Sequence, residues 1–424
     1  MKKAGLCGAA LVALCFPALL WVMTLVPGLP RGVYLYEAGR VFALLAFVLI
    51  FLQFVWASRI KTIEKGIGRD TLFRVHRFFG FIALTLALAH PVCILLSERI
   101  QGYASPLNLL KVFGVATLFL LIASVFVAGF YQRLPITYET RKRIHAVGFA
   151  LFPLAFAHSF LLGSGTQKWP LRVFWLILAA GYVAVVAHKV VTGILLRRRA
   201  YTVSEVRRET HDTWTLAFEG MRRNYLPGQF MILHMRGNDR VEAHPFTIAS
   251  SPNQATLAIT VKAVGDFTSF LSRIKTPSTA LIDMPYGTFS LLNHPAEAFV
   301  FIAGGIGITP FMSMLRFARE EGAGRPILLL WSNKHERDIV FKKELEDIEQ
   351  ALPTLKVVHI LSREHDWPGE KGHIDAERLK KYLKNFTIPR FFLCGPVPMM
   401  RSVKGTLRGL GVPRNRIHLE RFSL

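Results

Sequence analysis

The chain has only four cysteines in 424 residues (Cys7, Cys15, Cys93 and Cys394), scattered without a CxxC pair. That excludes a disulfide scaffold and a cysteine-based zinc site. Acidic residues are also scarce, 28 against 52 lysines and arginines, and charged residues of both signs make up only 19% of the chain. Internal repeats and low-complexity segments are absent. With 52% apolar residues and a mean hydropathy of +0.35, the composition excludes a disordered chain and is too apolar for an ordinary soluble enzyme. The formal charge of +24 invites a nucleic-acid reading, but basic residues flanking apolar spans explain much of the excess through the positive-inside rule. The composition therefore describes a membrane protein with a substantial soluble part, in contact with a lipid bilayer and with no nucleic-acid partner.

Apolar runs lie at 6–26, 41–57, 78–97, 109–131, 144–163 and 171–196. Each approaches the roughly 20 residues a helix needs to cross a bilayer, which predicts six spans, with residues 72–77 as an amphipathic first turn of the third. Lys2 and Lys3 before the first run also suit a signal peptide. No small-x-small cleavage site follows convincingly, so the run is read as a retained helix. Arg59, Lys61, Lys65, Arg69, Arg74 and Arg77 crowd the connection from span two into span three. Arg133, Arg141, Lys142 and Arg143 crowd the one between spans four and five, and Arg197 to Arg199 end span six. The opposite loops offer only Arg31, Arg40, Arg99, Lys168 and Arg172. This asymmetry predicts a multi-pass protein of the cell (inner) membrane with both termini cytoplasmic.

Ionisable residues inside spans are costly and point to function. Span three holds His76 and His90, fourteen residues apart, and span five holds His145 and His158, thirteen apart. At 1.5 Å per residue each pair is separated by roughly 20 Å along its helix, so one histidine lies near each membrane face. If the two spans are neighbours, His76 comes level with His145 and His90 with His158. Two histidines facing each other across a bundle can hold a b-type haem iron from both sides. Thirteen residues at 100° each miss the starting face by about 140°, so span five cannot be an ideal helix if both its histidines face span three. Pro153 lies between them and predicts a kink or local rewinding. His188 in span six has no partner at matching spacing and reads as structural.

After residue 200 the texture changes. Short alternating runs such as 201–206, 213–218, 229–234 and 256–264 predict a small antiparallel barrel. From about 297 apolar strands alternate with helical stretches, as in a doubly wound α/β domain. His244, Pro245, Phe246 and Thr247 end one strand-like run, with an aromatic and a hydroxyl suited to a flavin ring. Lys262 follows, then Gly265, Asp266, Phe267 and Thr268 opening a helix, a candidate pyrophosphate site. Gly304, Gly305, Gly307, Thr309 and Pro310 form a glycine loop between a buried strand and a helix, where backbone can approach a phosphate closely. Cys394, Gly395 and Pro396 end the last strand-like run, where open α/β sheets bind ligands.

In this order, HPFTIAS, GDFT, GGIGITP, CGP and the tail Glu420-Arg421-Phe422 resemble the ferredoxin–NADP reductase type of flavodehydrogenase. The six spans with two histidine pairs resemble the transmembrane ferric reductase and NADPH oxidase superfamily, and together the two resemblances cover nearly the whole chain. They imply an all-α six-helix di-haem bundle (1–199), an antiparallel β-barrel binding FAD (200–296) and an α/β domain binding NADPH (297–424). They further imply that His244, Pro245, Phe246, Thr247 and Thr268, with Lys262, Gly265 and Phe267 beside them, hold FAD. The glycine loop would hold the dinucleotide and Cys394 would lie beside the nicotinamide, with Gly395 and Pro396 completing its turn. Phe422 would stack on the flavin face that nicotinamide must reach. Calcium-binding EF-hand loops are absent, so the resemblance is to the compact bacterial members. Ser362 and Arg363 sit where relatives using NADP contact the 2′-phosphate, which favours NADPH, with NADH also usable.

The reading that follows is transmembrane electron transfer. Cytoplasmic NADPH reduces FAD, and electrons pass singly through two b haems, held by His76 and His145 and by His90 and His158, to an external one-electron acceptor. Arg74, Arg77, Arg141 and Arg143 are placed to pair with inner haem propionates. Arg40 is placed to attract an anion at the outer face. The acceptor expected first is O2, giving superoxide. A ferric chelate, or a periplasmic partner protein, is the alternative.

Overall fold

The computed structural model describes residues 2–23, 28, 30–58, 60–130, 133–134, 138–163, 166–197, 200–221, 223–236, 241–322, 324–384, 386 and 388–421. The chain divides into two compact units, 1–193 and 194–424.

The first unit is helical: α1 (Lys2–Val22), α2 (Arg31–Ala57), α3 (Lys61–Ile67), α4 (Arg69–Gln101), α5 (Leu109–Phe130), α6 (Tyr138–Val147), α7 (Leu151–Leu162) and α8 (Trp169–Arg197). Five stretches are long and apolar enough to cross a membrane: α2, Thr71–Gln101 of α4, α5, Arg143–Leu162 across α6 and α7, and α8. Among the described residues five of the expected six are found, with Gly8–Val22 of α1 a shorter apolar helix. Phe73, Phe78, Phe81, Val92 and Leu95 of α4 are exposed, the apolar outer face that lipid solvates. The interior is aromatic. Phe47 stacks on Trp175 at 4.8 Å, and the Trp175 indole N–H donates to Ser159 Oγ at 2.9 Å, which satisfies its one polar atom.

Span five is interrupted as the angle count requires. Between α6 and α7, Gly148–Ala150 form a 3-10 turn. Pro153 has no N–H for the carbonyl four residues back, that of Phe149, and the Tyr182 hydroxyl of α8 donates to that carbonyl at 2.7 Å instead. A 3-10 turn advances about 120° per residue instead of 100°. Three such residues recover about 60° and cut the mismatch between the two histidines to about 80°.

The second unit holds two six-stranded sheets. The first is antiparallel and is built from β1 (Ala200–Arg208), β2 (Thr213–Glu219), β3 (Phe230–Arg236), β4 (Val241–Thr247), β5 (Leu257–Lys262) and β6 (Ser278–Tyr286), in the order β4-β3-β6-β1-β2-β5. Burial alternates along it, most clearly on β6, where Ala280, Ile282, Met284 and Tyr286 point inward. Its outer strands meet in one isolated bridge, Ile248 with Ile259, and not in a continuous ladder. A short helix, α9 (Asp266–Leu271), follows β5.

The second sheet is parallel: β7 (Phe299–Gly304), β8 (Ile327–Asn333), β9 (Leu355–Leu361), β10 (Glu370–Lys371), β11 (Arg390–Cys394) and β12 (Ile417–Glu420), in the order β10-β9-β8-β7-β11-β12. The intervening helices are α10 (Thr309–Glu320), α11 (Lys342–Ala351), α12 (Ala376–Leu383) and α13 (Val397–Gly409). Every residue of β7 is buried, the mark of a parallel strand covered on both faces. The winding reverses between β7 and β11, so a crevice opens beyond the carboxyl ends of those two strands.

Candidate functional site

The membrane unit brings the four histidines into two facing pairs. The His76 and His145 ring centroids are 6.0 Å apart with planes at 83°, and those of His90 and His158 are 6.3 Å apart at 69°. Helices α4 and α7 do not pack closely on each other, whereas α4 packs on α2 and α7 on α5. The supporting helices hold the rings. His90 Nδ1–H donates to Gly39 O of α2 at 2.9 Å, and His158 Nδ1–H donates to Leu110 O of α5 at 2.7 Å. A carbonyl can only accept, so both rings carry their proton on Nδ1 and leave Nε2 with a free lone pair, the tautomer a metal ligand needs. The Ser124 hydroxyl of α5 stands 2.8 Å from His145 Nδ1. His76 Nδ1 lies toward the Gln53 backbone without closing a hydrogen bond, and the buried Gln53 amide is also unpartnered. Gly39 and Gln53 on α2 repeat the fourteen-residue spacing of His76 and His90, while Leu110 and Ser124 on α5 are fourteen apart, one more than His145 and His158. Among the described residues, no three His, Cys, Asp or Glu side chains cluster as a bare-ion site.

Arg40 is engaged. Its Nη1 donates to both Glu37 oxygens at 2.6 and 2.8 Å, and the Trp21 indole N–H donates to the same carboxylate at 2.9 Å. A carboxylate so placed neutralises the cation that the sequence suggested for attracting an anion.

In the second unit, β4 is an edge strand. It therefore tolerates Pro245, which has no N–H to give a ladder. The His244 ring stacks on Phe267 at 4.2 Å, and Phe246 lies 6.2 Å from the same ring, so the HPFT and GDFT segments share one aromatic cluster. His244 Nε2 is 3.0 Å from Glu242. The Thr247 hydroxyl is buried with no protein partner, the kind of orphan a ligand satisfies. Thr268 lies in the first turn of α9. Its hydroxyl accepts the Val264 and Gly265 N–H groups at 3.1 and 3.0 Å and so caps α9 itself. Lys262 is likewise occupied by Asp212 at 2.9 Å. Burial alone would raise the Asp212 carboxyl, but the hydrogen bond and charge of Lys262 outweigh it and hold the group below its usual range.

At the crevice, Gly305–Ile308 form a 3-10 turn between β7 and α10, which begins at Thr309 with Pro310 in its first turn. Gly305 has φ +52°, and its carbonyl accepts the Trp331 indole N–H at 3.0 Å. A methyl on Gly307 would strike the Cys394 backbone, and one on Gly304 would lie 2.8 Å from Pro396 Cδ. The glycine loop and the Cys-Gly-Pro turn therefore touch, and glycine is what permits it. Cys394 is fully buried on β11, with Glu420 of β12 as its strand partner. Burial, then the Glu420 charge, push its thiol well up, so it stays protonated. Phe422 lies outside the described residues.

Ser362 N–H donates to Asn333 O at 3.0 Å and Arg363 N–H to Lys334 O at 2.9 Å, which leaves the exposed Arg363 side chain at the carboxyl edge of the sheet. Sequence reasoning passed over Asn333, which ends β8 with both amide atoms buried and unpartnered. The signal was a lone amide closing an otherwise apolar strand, ILLLWSN.

Family models match along the chain: a ferric reductase like transmembrane component at 42–156, an FAD-binding domain at 199–307 and an oxidoreductase NAD-binding domain at 301–405. Ferredoxin–NADP reductase B of Sorangium cellulosum is 30% identical over 203 residues, covering 46% of this chain and 82% of that protein. The chain belongs to the ferric reductase and ferredoxin–NADP reductase-like superfamily. This superfamily member joins a ferric reductase like transmembrane component to FAD-binding and oxidoreductase NAD-binding domains. The glycine betaine monooxygenase reductase subunit of Pseudomonas aeruginosa is 30% identical over 230 residues, covering 52% of this chain but only 63% of its own length, under two thirds. A crystal structure of flavohemoglobin from Malassezia yamatoensis, with FAD and heme bound, aligns over 92% of this chain and 96% of that one at TM-score 0.51 and 18% identity. That is a likeness of fold alone.

Proposed function

We propose that the protein moves electrons from cytoplasmic NAD(P)H across the membrane to a separate redox partner protein. The observation that carries this is the coexistence, in one chain, of a reductase half and two facing histidine pairs in apolar helices. The residues fit haem. Two imidazoles ligating one iron from opposite sides, each nitrogen about 2 Å from the metal, stand roughly 6 Å apart between centroids, which supports assigning two b haems to the pairs at 6.0 and 6.3 Å. When bound, FAD would supply acceptance of a hydride, two electrons with one hydrogen nucleus, from the reduced nicotinamide, and haem would supply single-electron carriage.

The chain's own part is to bind and orient. Phe246, Phe267 and His244 offer a stacking wall, and the orphan Thr247 hydroxyl offers a hydrogen bond to the flavin. The glycine loop and the Cys394 turn meet at the crevice and would hold the pyrophosphate and nicotinamide, and Ser362 and Arg363 offer a 2′-phosphate site. We read 1–199, 200–296 and 297–424 as the haem, FAD and NADPH domains, with the first sheet acting as a barrel and both termini cytoplasmic.

A partner acceptor ranks ahead of oxygen. The reductase relatives are named as subunits or electron-transfer components of multi-component systems, and Arg40 is neutralised by Glu37. A ferric chelate is the second reading, favoured by the ferric reductase like match over 42–156. The test is NADPH-driven reduction by purified protein in nanodiscs. Dismutase-insensitive turnover that needs an added outer-face redox protein supports the first reading, and anaerobic reduction of a ferric chelate alone supports the second. Dismutase-inhibited cytochrome c reduction with no other acceptor would refute both in favour of oxygen.

A further inference from the structure

Helix α10 begins at the glycine loop, and two turns later it is joined to the segment that leaves the HPFT strand. Arg316, only 7% exposed, donates from Nη1 to Ala249 O at 2.6 Å. Its Nε and Nη2 pair with the two Glu344 oxygens at 2.7 and 2.6 Å, and its guanidinium lies 5.0 Å from the Phe341 ring. Ser313, on the same face, donates to Ser250 O at 2.7 Å, and Glu320 and Glu321 take Ser251 Oγ and Asn253 Nδ2. The far side of 249–253 is also held. The Tyr225 hydroxyl reaches Ser250 O and Ser251 O at 3.1 and 2.8 Å, and Ala249 N–H donates to Ala258 O at 2.8 Å.

We propose that Arg316, aimed by Glu344, is a positioning residue for flavin reduction: it fixes the distance between the flavin strand and the dinucleotide loop. The arrangement suits that task. A buried guanidinium has five N–H donors in a rigid fork, and a bidentate carboxylate locks its plane. The remaining nitrogen then fixes one carbonyl in space, two residues after the orphan Thr247. Reaction between two bound groups depends steeply on their separation, and a misplacement of about 1 Å can cost about 100-fold. A lysine would keep the charge and lose the fork. The inference rests on the assignment of FAD to 244–247 and of the dinucleotide to 304–309.

The experiment uses the full-length protein in nanodiscs, with Arg316→Lys and the charge-balanced double variant Arg316→Met/Glu344→Gln. Bound FAD, amide hydrogen exchange over 248–254 and single-turnover flavin reduction against NADPH concentration are read on each. Expected is FAD content near wild type, faster exchange confined to 248–254, and a limiting reduction rate at least about tenfold lower with NADPH affinity changed less than about threefold. The primary isotope effect with C4-deuterated NADPH should rise as that step becomes limiting, and Arg316→Lys should fall between wild type and the double variant. A wild-type limiting rate in folded, FAD-loaded variants overturns the proposal, as does exchange loosened throughout the unit. If wild-type protein binds no FAD or shows no NADPH-dependent reduction, the underlying site assignment fails instead.

Discussion

Gly114 is packed directly against the ring of His158. An alanine methyl there would stand 2.7, 2.8 and 3.1 Å from Cε1, Nδ1 and Nε2 of His158. Ordinary carbon contacts begin near about 3.4 Å, so the ring would have to retreat by roughly 0.7 Å. Leu110, whose carbonyl holds His158 Nδ1 at 2.7 Å, lies one helical turn before Gly114, so retreat from the methyl also lengthens that hydrogen bond to about 3.4 Å, past useful range. Helix propensity works in the opposite direction, since alanine gains about 1 kcal/mol over glycine in a helix interior, while overpacking costs about 1–3 kcal/mol. The two nearly cancel, so Gly114→Ala should insert and fold, and the damage should fall on the ligand position. Loss of an orienting partner typically costs about 10–100-fold in metal affinity. Expected, then, is FAD content as in wild type, haem falling from about two per chain toward one, and transfer to an outer acceptor reduced by about tenfold or more while NADPH reduction of a soluble dye persists. Pyridine haemochrome assay and low-temperature EPR read the outcome. Two unperturbed low-spin haems in the alanine variant would falsify the geometry argued for His158.

Ser124→Ala removes the side-chain support of His145. It should shift the potential and EPR signature of the inner haem alone, with Ser124→Thr restoring them, and a redox titration identical to wild type would end the argument. Arg363→Ala should shrink the preference for NADPH over NADH by about tenfold through the lost 2′-phosphate contact, with NADH turnover unchanged. Equal loss with both nucleotides would assign Arg363 to structure. The His418 imidazole is pushed down to about 4 by burial, then by neighbouring His294 and Arg390. A depressed value means the folded unit binds the proton less readily than the unfolded chain. The stability it contributes is therefore present above the unfolded value near 6.5 and is lost as pH falls toward 4. The flavin-release temperature should drop over that window, less so in His418→Asn, and identical pH profiles would remove His418 as the cause.

The sequence made plain whatever costs free energy to keep. Apolar runs of the length of α2, α4, α5 and α8 have few explanations other than lipid, and β7 is apolar throughout because both its faces are covered. The break in span five was legible from an angle count and Pro153. Its location at 148–150 was not, because it depends on Tyr182 arriving from α8 to take the Phe149 carbonyl. The short helix α3 was missed because its seven residues carry no period long enough to register. In the second unit, the local partners of Lys262 and Thr268, Asp212 and the α9 backbone, were not legible in the motifs.

What stayed hidden has a common physical cause. A histidine in an apolar helix is conspicuous because its residue type is expensive there. The groups that orient it are the carbonyls of Gly39 and Leu110, and any residue supplies a carbonyl. Arg316 is hidden in a similar way: its partner at Ala249 is backbone 67 residues away, and its carboxylate partner is 28 residues away. Composition and motifs can therefore identify candidate ligands, whereas the shell that sets their tautomer, distance and angle is written in helix phase. On α2 that phase is partly readable, because along two unbroken helices a support recurs at the spacing of what it supports. Gly39 and Gln53 keep the fourteen-residue interval of His76 and His90, whereas Leu110 and Ser124 are fourteen apart against thirteen for His145 and His158 of the interrupted span. Gln53 belongs to that register while its amide remains unpartnered and buried, which makes the support of His76 the loosest of the four.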